Sequence, residues 1–193
     1  YEIYQCDWSS DVCSSDLEQC EATFYVGSDY NSLVPKAFSE DYLRAKKNVL
    51  WLGPNVWQLG DQFEKKFGLR FIGLDTLMTE GDAFVREVSY QGRIYRGQSS
   101  LPQQVELVPV DSEKFELLAE IRRTGSKELV PYVVKAKNKY YMTDWPLQKG
   151  LVMDCSRVLV SILSEIIGRP PRSLVVDTPH RSIAVGDERL RGF

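Results

Sequence analysis

The hydrophobic pattern is most informative over Asn48–Phe67, read NVLWLGPNVWQLGDQFEKKF. A short apolar run, Val49-Leu50-Trp51-Leu52, is broken at Gly53-Pro54-Asn55. It resumes with Trp57, Leu59, Phe63 and Phe67 at helix-compatible spacings. Strand, tight turn and helix are half of an α/β unit, and the turn lies at the carboxyl end of a strand, where open α/β sheets place ligands. Asn55 is a candidate N-cap for the helix, and Gly68 fits the left-handed position after its last turn.

The same pattern repeats just upstream. Ala22–Gly27 is a β-type run, Ser28–Ser32 is turn chemistry, and Pro35–Lys47 predicts a helix with Pro35 at its first position and Arg44, Lys46 and Lys47 near its end. Two βα units in succession predict a parallel sheet with helices on its faces. Downstream the period changes. Leu69–Leu74 is a short strand or connector, Phe84–Gly97 alternates around Gln91-Gly92, and Val105–Val110 is strand-like. Lys114–Arg123 fits a strand or a short helix, and Leu129–Lys135 pairs with Lys139–Met142 around Lys137-Asn138. This β-rich section, about 84–142, is predicted to be antiparallel and inserted in or appended to the α/β part. Ser156–Ile167 is an amphipathic helix stopped at Gly168-Arg169-Pro170-Pro171, and Ser173–Val176 is one more strand before a polar end.

Composition narrows the classes. The 193 residues, 43% hydrophobic and 11% aromatic, suffice for one domain with a substantial core. A net charge of -3 offers no basic footprint for nucleic acid. No apolar run approaches the roughly 18 residues of a membrane-spanning helix. Cys6, Cys13 and Cys20 are evenly spaced, but the spacing matches no zinc pattern and no histidine is near. The segment Cys6–Leu17, CDWSSDVCSSDL, resembles translated sequencing-adapter read-through, so residues 1–17 are expected to be non-biological. Cys20 and Cys155 then remain as small apolar residues.

From Glu21 onward several segments carry a family resemblance: Ala22–Tyr30 (ATFYVGSDY), Pro35–Phe38, Asn48–Leu59 (NVLWLGPNVWQL), Tyr140–Pro146 (YYMTDWP), Val158–Gly168 and Pro179-His180-Arg181. In order and spacing they resemble the YdaL-like, polysaccharide-deacetylase-like bacterial proteins. The resemblance implies a flavodoxin-like or class-I-amidotransferase-like domain over residues 18–171 that precedes a deacetylase barrel, with residues 172–193 as the truncated entry to that barrel. It further implies a secreted or cell-envelope protein, a divalent metal such as zinc in the missing barrel and no cofactor in this part, with a glycan and the barrel as partners. The acidic pair that opens the barrel in the family is not in its expected setting here, where His180-Arg181-Ser182-Ile183 is followed by Ala184-Val185-Gly186-Asp187-Glu188.

Candidate chemistry follows from residue types. Metal-dependent deacetylation needs two histidines and aspartates; the one histidine, His180, with Asp177, Asp187 and Glu188, supplies at most part of such a site. An amidotransferase-like elbow needs a nucleophile, and Gly53-Pro54-Asn55 has none, so catalysis is not expected of this part. Tyr30, Trp51, Asn55 and Trp57 can be drawn together as an aromatic sugar platform with an amide, and Asp144-Trp145 as a smaller version. The competing expectation is that Trp51 and Trp57 are core. One of Tyr140 and Tyr141 is expected to face outward, and Arg93, Arg96, Arg122 and Arg123 either line an anionic-glycan site or lie on solvated strand faces. The leading expectation is a non-catalytic accessory domain; the alternatives are a stand-alone carbohydrate-binding module and a degenerate amidotransferase-like domain with a protein partner.

Overall fold

A computed structural model describes residues 22–26, 30–31, 33–75, 85–98, 104–122, 128–143, 154–168, 173–178 and 181–186. The strands are β1 (Ala22–Val26), β2 (Asn48–Leu52), β3 (Leu69–Asp75), β4 (Val85–Tyr90), β5 (Arg93–Gln98), β6 (Gln104–Pro109), β7 (Glu116–Arg122), β8 (Leu129–Ala136), β9 (Lys139–Met142), β10 (Ser173–Thr178) and β11 (Arg181–Gly186). The helices are α1 (Lys36–Arg44), a 3-10 helix over Pro54–Leu59, α2 (Asp61–Phe67) and α3 (Asp154–Ile167).

Seven strands form one mixed sheet in the order β1-β2-β9-β8-β7-β4-β5. The predicted parallel pairing of β1 with β2 is present, and β9 joins β2 in parallel on its other side. From β9 outward every pairing is antiparallel. Among the described residues, β4, β5, β7, β8 and β9 of the β-rich section therefore continue the α/β sheet, whereas its β6 does not join it. β3 and β6 form a separate antiparallel ribbon, as do β10 and β11. The polar end expected after Val176 thus contains a strand, because residues 181–186 pair back on 173–178.

The centre of the sheet, β2 and β9 with the adjoining part of β8, is buried on both sides, and this organises the core. Leu50, Leu52, Tyr140 and Met142 pack with α3 residues Val158, Leu159, Ile162, Leu163 and Ile166 on one side. Val49, Trp51 and Tyr141 pack on the other with Tyr42 of α1, Val56 and Leu59 of the 3-10 helix, and Phe63 and Phe67 of α2. The pleat sends alternate residues to opposite faces, so β2 reads as an unbroken apolar run. The expectation that Tyr140 or Tyr141 faces solvent is corrected for the same reason. Both are buried, one in each cluster.

A bulge separates the two halves of β8. The register with β7 skips Leu118 and Tyr132, so Tyr132 and Val133 both join the α3 cluster while Val134 and Ala136 join the other. Pro131 sits at this irregularity, where a proline is tolerated within a sheet.

The helix boundaries also differ from the periodic reading. α1 begins at Lys36 with Pro35 as its cap and ends at Arg44, short of Lys46 and Lys47. The carbonyls past Arg44 are taken by a segment distant in sequence: Asn138 Nδ2 donates to the carbonyls of Ala45 (2.8 Å) and Lys47 (2.6 Å), and Lys139 Nζ donates to the Ala45 carbonyl (3.0 Å). The β8–β9 turn thereby takes up acceptors that further helix would have used. Burial, and then the charge of Lys66, lowers the Lys139 pKa. The predicted Asn55–Phe67 helix divides at Gly60, whose φ is 54°.

Tyr42 couples the core to pH. Its hydroxyl is buried and donates to the Tyr140 carbonyl at 3.0 Å, and burial raises its pKa well above 10.0. The unfolded chain ionises this phenol near pH 10 while the folded chain keeps the proton. Stability contributed by the neutral form is therefore complete below that pH and falls as pH rises toward the raised folded value. Tyr42→Phe is expected to cost about 1 kcal/mol at neutral pH through the lost hydrogen bond. Above pH 10 its stability should fall less steeply than the wild type, by up to about 1.4 kcal/mol per pH unit. Urea unfolding at several pH values between neutrality and 11 tests this, and parallel slopes would refute it.

Candidate functional site

β1 and β2 run parallel and bring their carboxyl ends to the same edge of the sheet. After Leu52 the chain turns through Gly53 (φ 108°), whose N–H donates to the Met142 carbonyl at 3.0 Å. Tyr141 Oη donates to the Gly53 carbonyl at 3.3 Å. β9 thus holds the turn from its own carboxyl end. Pro54 fits the start of the 3-10 helix because its fixed φ suits a first helical position.

Asn55 does not cap a helix. It lies inside the 3-10 turn, fully buried, and its Oδ1 accepts a 3.1 Å hydrogen bond from Trp51 Nε1. The amide satisfies a buried indole N–H, as an apolar core requires. Trp51 is itself fully buried between α1 and the turn, edge-on to Tyr42 with ring centroids 5.2 Å apart. Asn55 and Trp51 are therefore core residues, and neither can meet a sugar from solvent.

Trp57 behaves in the opposite way. The 3-10 winding turns Val56 and Leu59 inward and leaves Trp57 37% exposed, so the expectation that Trp57 is core is corrected. Its Nε1 donates to the Tyr30 carbonyl at 2.9 Å. The Val34 N–H in turn donates to Gln58 Oε1 at 2.7 Å. The segment after β1 and the turn after β2 are thus clasped by one hydrogen bond in each direction. Tyr30 lies 5.5 Å from Trp57 and 6.2 Å from Phe71 of β3, centroid to centroid, at interplanar angles of 39° and 21°. Tyr30 and Trp57 are brought together as the platform reading expects, and Phe71 is an addition. The run Leu69–Leu74 pointed only to a short strand or connector, so pairing with Tyr30 was not legible in it.

A polar cluster on the opposite face was missed entirely. Lys135 Nζ contacts Glu165 Oε1 at 2.9 Å and lies 5.2 Å from the Tyr140 ring centroid; Tyr140 Oη donates to the same carboxylate oxygen at 3.2 Å. Glu165 raises the Lys135 pKa, and burial raises that of Tyr140. At neutral pH Lys135 thus keeps its charge and Tyr140 its phenol proton. That arrangement ties α3 to β8 and β9 and supplies no free base. Glu165 lies 25 residues beyond Tyr140, on a different element, which is why periodicity could not find the cluster.

Of the arginines, Arg122 is engaged by Glu87 at 2.7 Å and Arg93 is exposed. The side chains of Arg96 and Arg123 lie outside the described residues, as do Asp144, Trp145, His180, Asp187, Glu188, Cys6, Cys13 and Cys20, and the side chains of Cys155 and Asp177. Among the described residues no three His, Cys, Asp or Glu side chains form a metal-binding group, and no helix is long and apolar enough to cross a membrane.

The fold defined by this sheet and its covering helices is a mixed α/β class. Solved structures with the same architecture include Gan42B, a GH42 beta-galactosidase, at TM-score 0.57 and 15% identity over 83% of this chain and 23% of that one. A catalytic mutant of Gan42B from G. stearothermophilus matches at TM-score 0.56 and 14% identity, over 89% of this chain and 25% of that one. The chain thus spans about a quarter of the length of these structures. No protein-family model matches the chain, and no curated protein matches it in sequence.

Proposed function

We propose that this chain is a non-catalytic accessory domain of a larger carbohydrate-active protein, of the polysaccharide-deacetylase-like kind that its sequence resembles. One observation carries the reading: most of its fold recurs in a glycoside hydrolase of which the match covers only about a quarter. A domain-sized α/β unit within a larger carbohydrate enzyme is the setting an accessory domain needs. The parallel strands β1, β2 and β9, with helices on both sides, support the finer flavodoxin-like or amidotransferase-like description. The elbow supports catalytic silence, since Gly53, Pro54 and Asn55 are buried and offer no nucleophile. In the parent protein the domain packs against a barrel that carries the divalent metal, in a secreted or envelope setting.

The expected result is that the purified chain, given zinc, releases no acetate from acetylated hexosamine oligomers and hydrolyses no aryl β-galactoside. Turnover of either substrate that survives a second purification would overturn the reading. Fold likeness is a poor guide to chemistry, so both substrates belong in the test.

A further inference from the structure

The Tyr30, Trp57 and Phe71 rings are the described group best placed to meet a ligand. The Lys135–Glu165–Tyr140 cluster is internally neutralised. The exposed apolar residues Ile72, Val108 and Val110 of the β3–β6 region have nothing beside them that specifies an occupant. The ring row differs on three independent counts. It stands at the carboxyl ends of parallel strands, the edge at which α/β sheets bind ligands. Its outer member is oriented in advance, because the Trp57 Nε1–Tyr30 carbonyl bond sets the indole while leaving the residue 37% exposed. Of the described residues adjacent in sequence to the three rings only Arg70 is charged, and it pairs with Glu64 at 2.7 Å.

We propose that this row is a stacking subsite for a neutral hexopyranose unit of a glycan, with Trp57 as the platform and Tyr30 and Phe71 as its support. A flat, pre-set ring offers the C–H face of a pyranose a large contact at little entropic cost. A uronic acid would need a cation beside the rings, whereas Arg70 precedes Phe71 on the strand, so the pleat turns it to the other face, where Glu64 holds it. This inference rests on the carbohydrate-linked reading above, but it concerns binding and not turnover.

The test is titration of the 193-residue protein with N-acetylglucosamine and galactose oligomers, followed by heat and tryptophan fluorescence, with a galacturonic acid oligomer as the anionic control. Binding in the millimolar range or tighter by at least one neutral oligomer is expected. Trp57→Ala should weaken it about tenfold or more, whereas Trp57→Phe, which keeps a ring face, should stay within about threefold. The urea midpoint of each variant separates lost binding from lost folding, and Trp57→Phe carries the test if the alanine variant is unfolded. No response to any neutral oligomer, equal binding by Trp57→Ala, or preference for the anionic oligomer would overturn the proposal. So would a concentration-dependent dimer abolished by Trp57→Ala, which would make the row a protein interface. Each of these outcomes leaves the accessory-domain reading intact; that reading fails separately, on turnover.

Discussion

Gly68→Ala is expected to destabilise the protein by about 2–5 kcal/mol, from left-handed strain plus overpacking. Gly68 ends α2 with φ 63° and ψ 21°, a left-handed residue that turns the chain directly into β3. Its carbonyl accepts from the N–H groups of Val110 (2.8 Å) and Asp111 (2.9 Å), which draws the loop after β6 tightly over it. A Cβ added there would collide with the Asp111 carbonyl oxygen and stand 3.0 Å from Lys114 Cβ. The obstacle is mainly backbone, which cannot swing aside as a side chain can. Gly92 is the control: it shares the positive φ (73°), sits in the β4–β5 turn, and has nothing within 4 Å of an added Cβ. Gly92→Ala should therefore cost only about 1 kcal/mol. Chemical denaturation of the two variants checks the difference, and equal losses would show that the close approach at Gly68 has no energetic weight.

The second large effect is expected at Trp51. Trp51→Ala should cost about 3–5 kcal/mol, the range for emptying a large aromatic site in a packed core. Trp51 is fully buried against Tyr42 and Phe38, so the cavity cannot easily fill. Trp51→Phe isolates the polar part. It keeps most of the ring and removes the N–H that Asn55 Oδ1 accepts, and should cost about 1–3 kcal/mol. If the hydrogen bond is what holds the elbow, Trp51→Phe and Asn55→Ala should be non-additive in a double-mutant cycle. Strict additivity would mean that the elbow is held by Gly53, Tyr141 and packing alone.

The same pair shows where reading from sequence stops. Trp51 in an apolar run was legible as a strand residue, and Asn55 after Gly-Pro was legible as a capping residue. That their side chains meet across a four-residue turn depends on the turn being 3-10 rather than the start of an α-helix. Trp57, two residues on, then points to the surface instead of the core. The winding over six residues thus brings Trp57 out to the surface, while Trp51 stays buried in its strand. The sugar-platform idea survives in a different form, without Trp51 or Asn55 and with Phe71, which arrives from a strand over forty residues after Tyr30.

Local physics was sufficient for the elements. Alternation, Gly-containing or Asn-containing turns and the 3.6-residue period placed β1, β2, both hairpins, α3 and the stop at Gly68 close to their observed limits, because each signal is written within a few neighbouring residues. Sheet order was beyond that reach. β2 and β9 lie about ninety residues apart, and their parallel pairing decides that the antiparallel strands extend the α/β sheet. It also decides that Tyr140 and Tyr141 are both buried, because a central strand with helices on each side has no outer face. The chain's own chemistry determined an α/β protein with a nucleophile-free elbow at Gly53-Pro54-Asn55. Tertiary structure alone decided which of the elbow's aromatic residues closes the core and which is left to meet solvent, since that depends on what the rest of the chain packs against each ring.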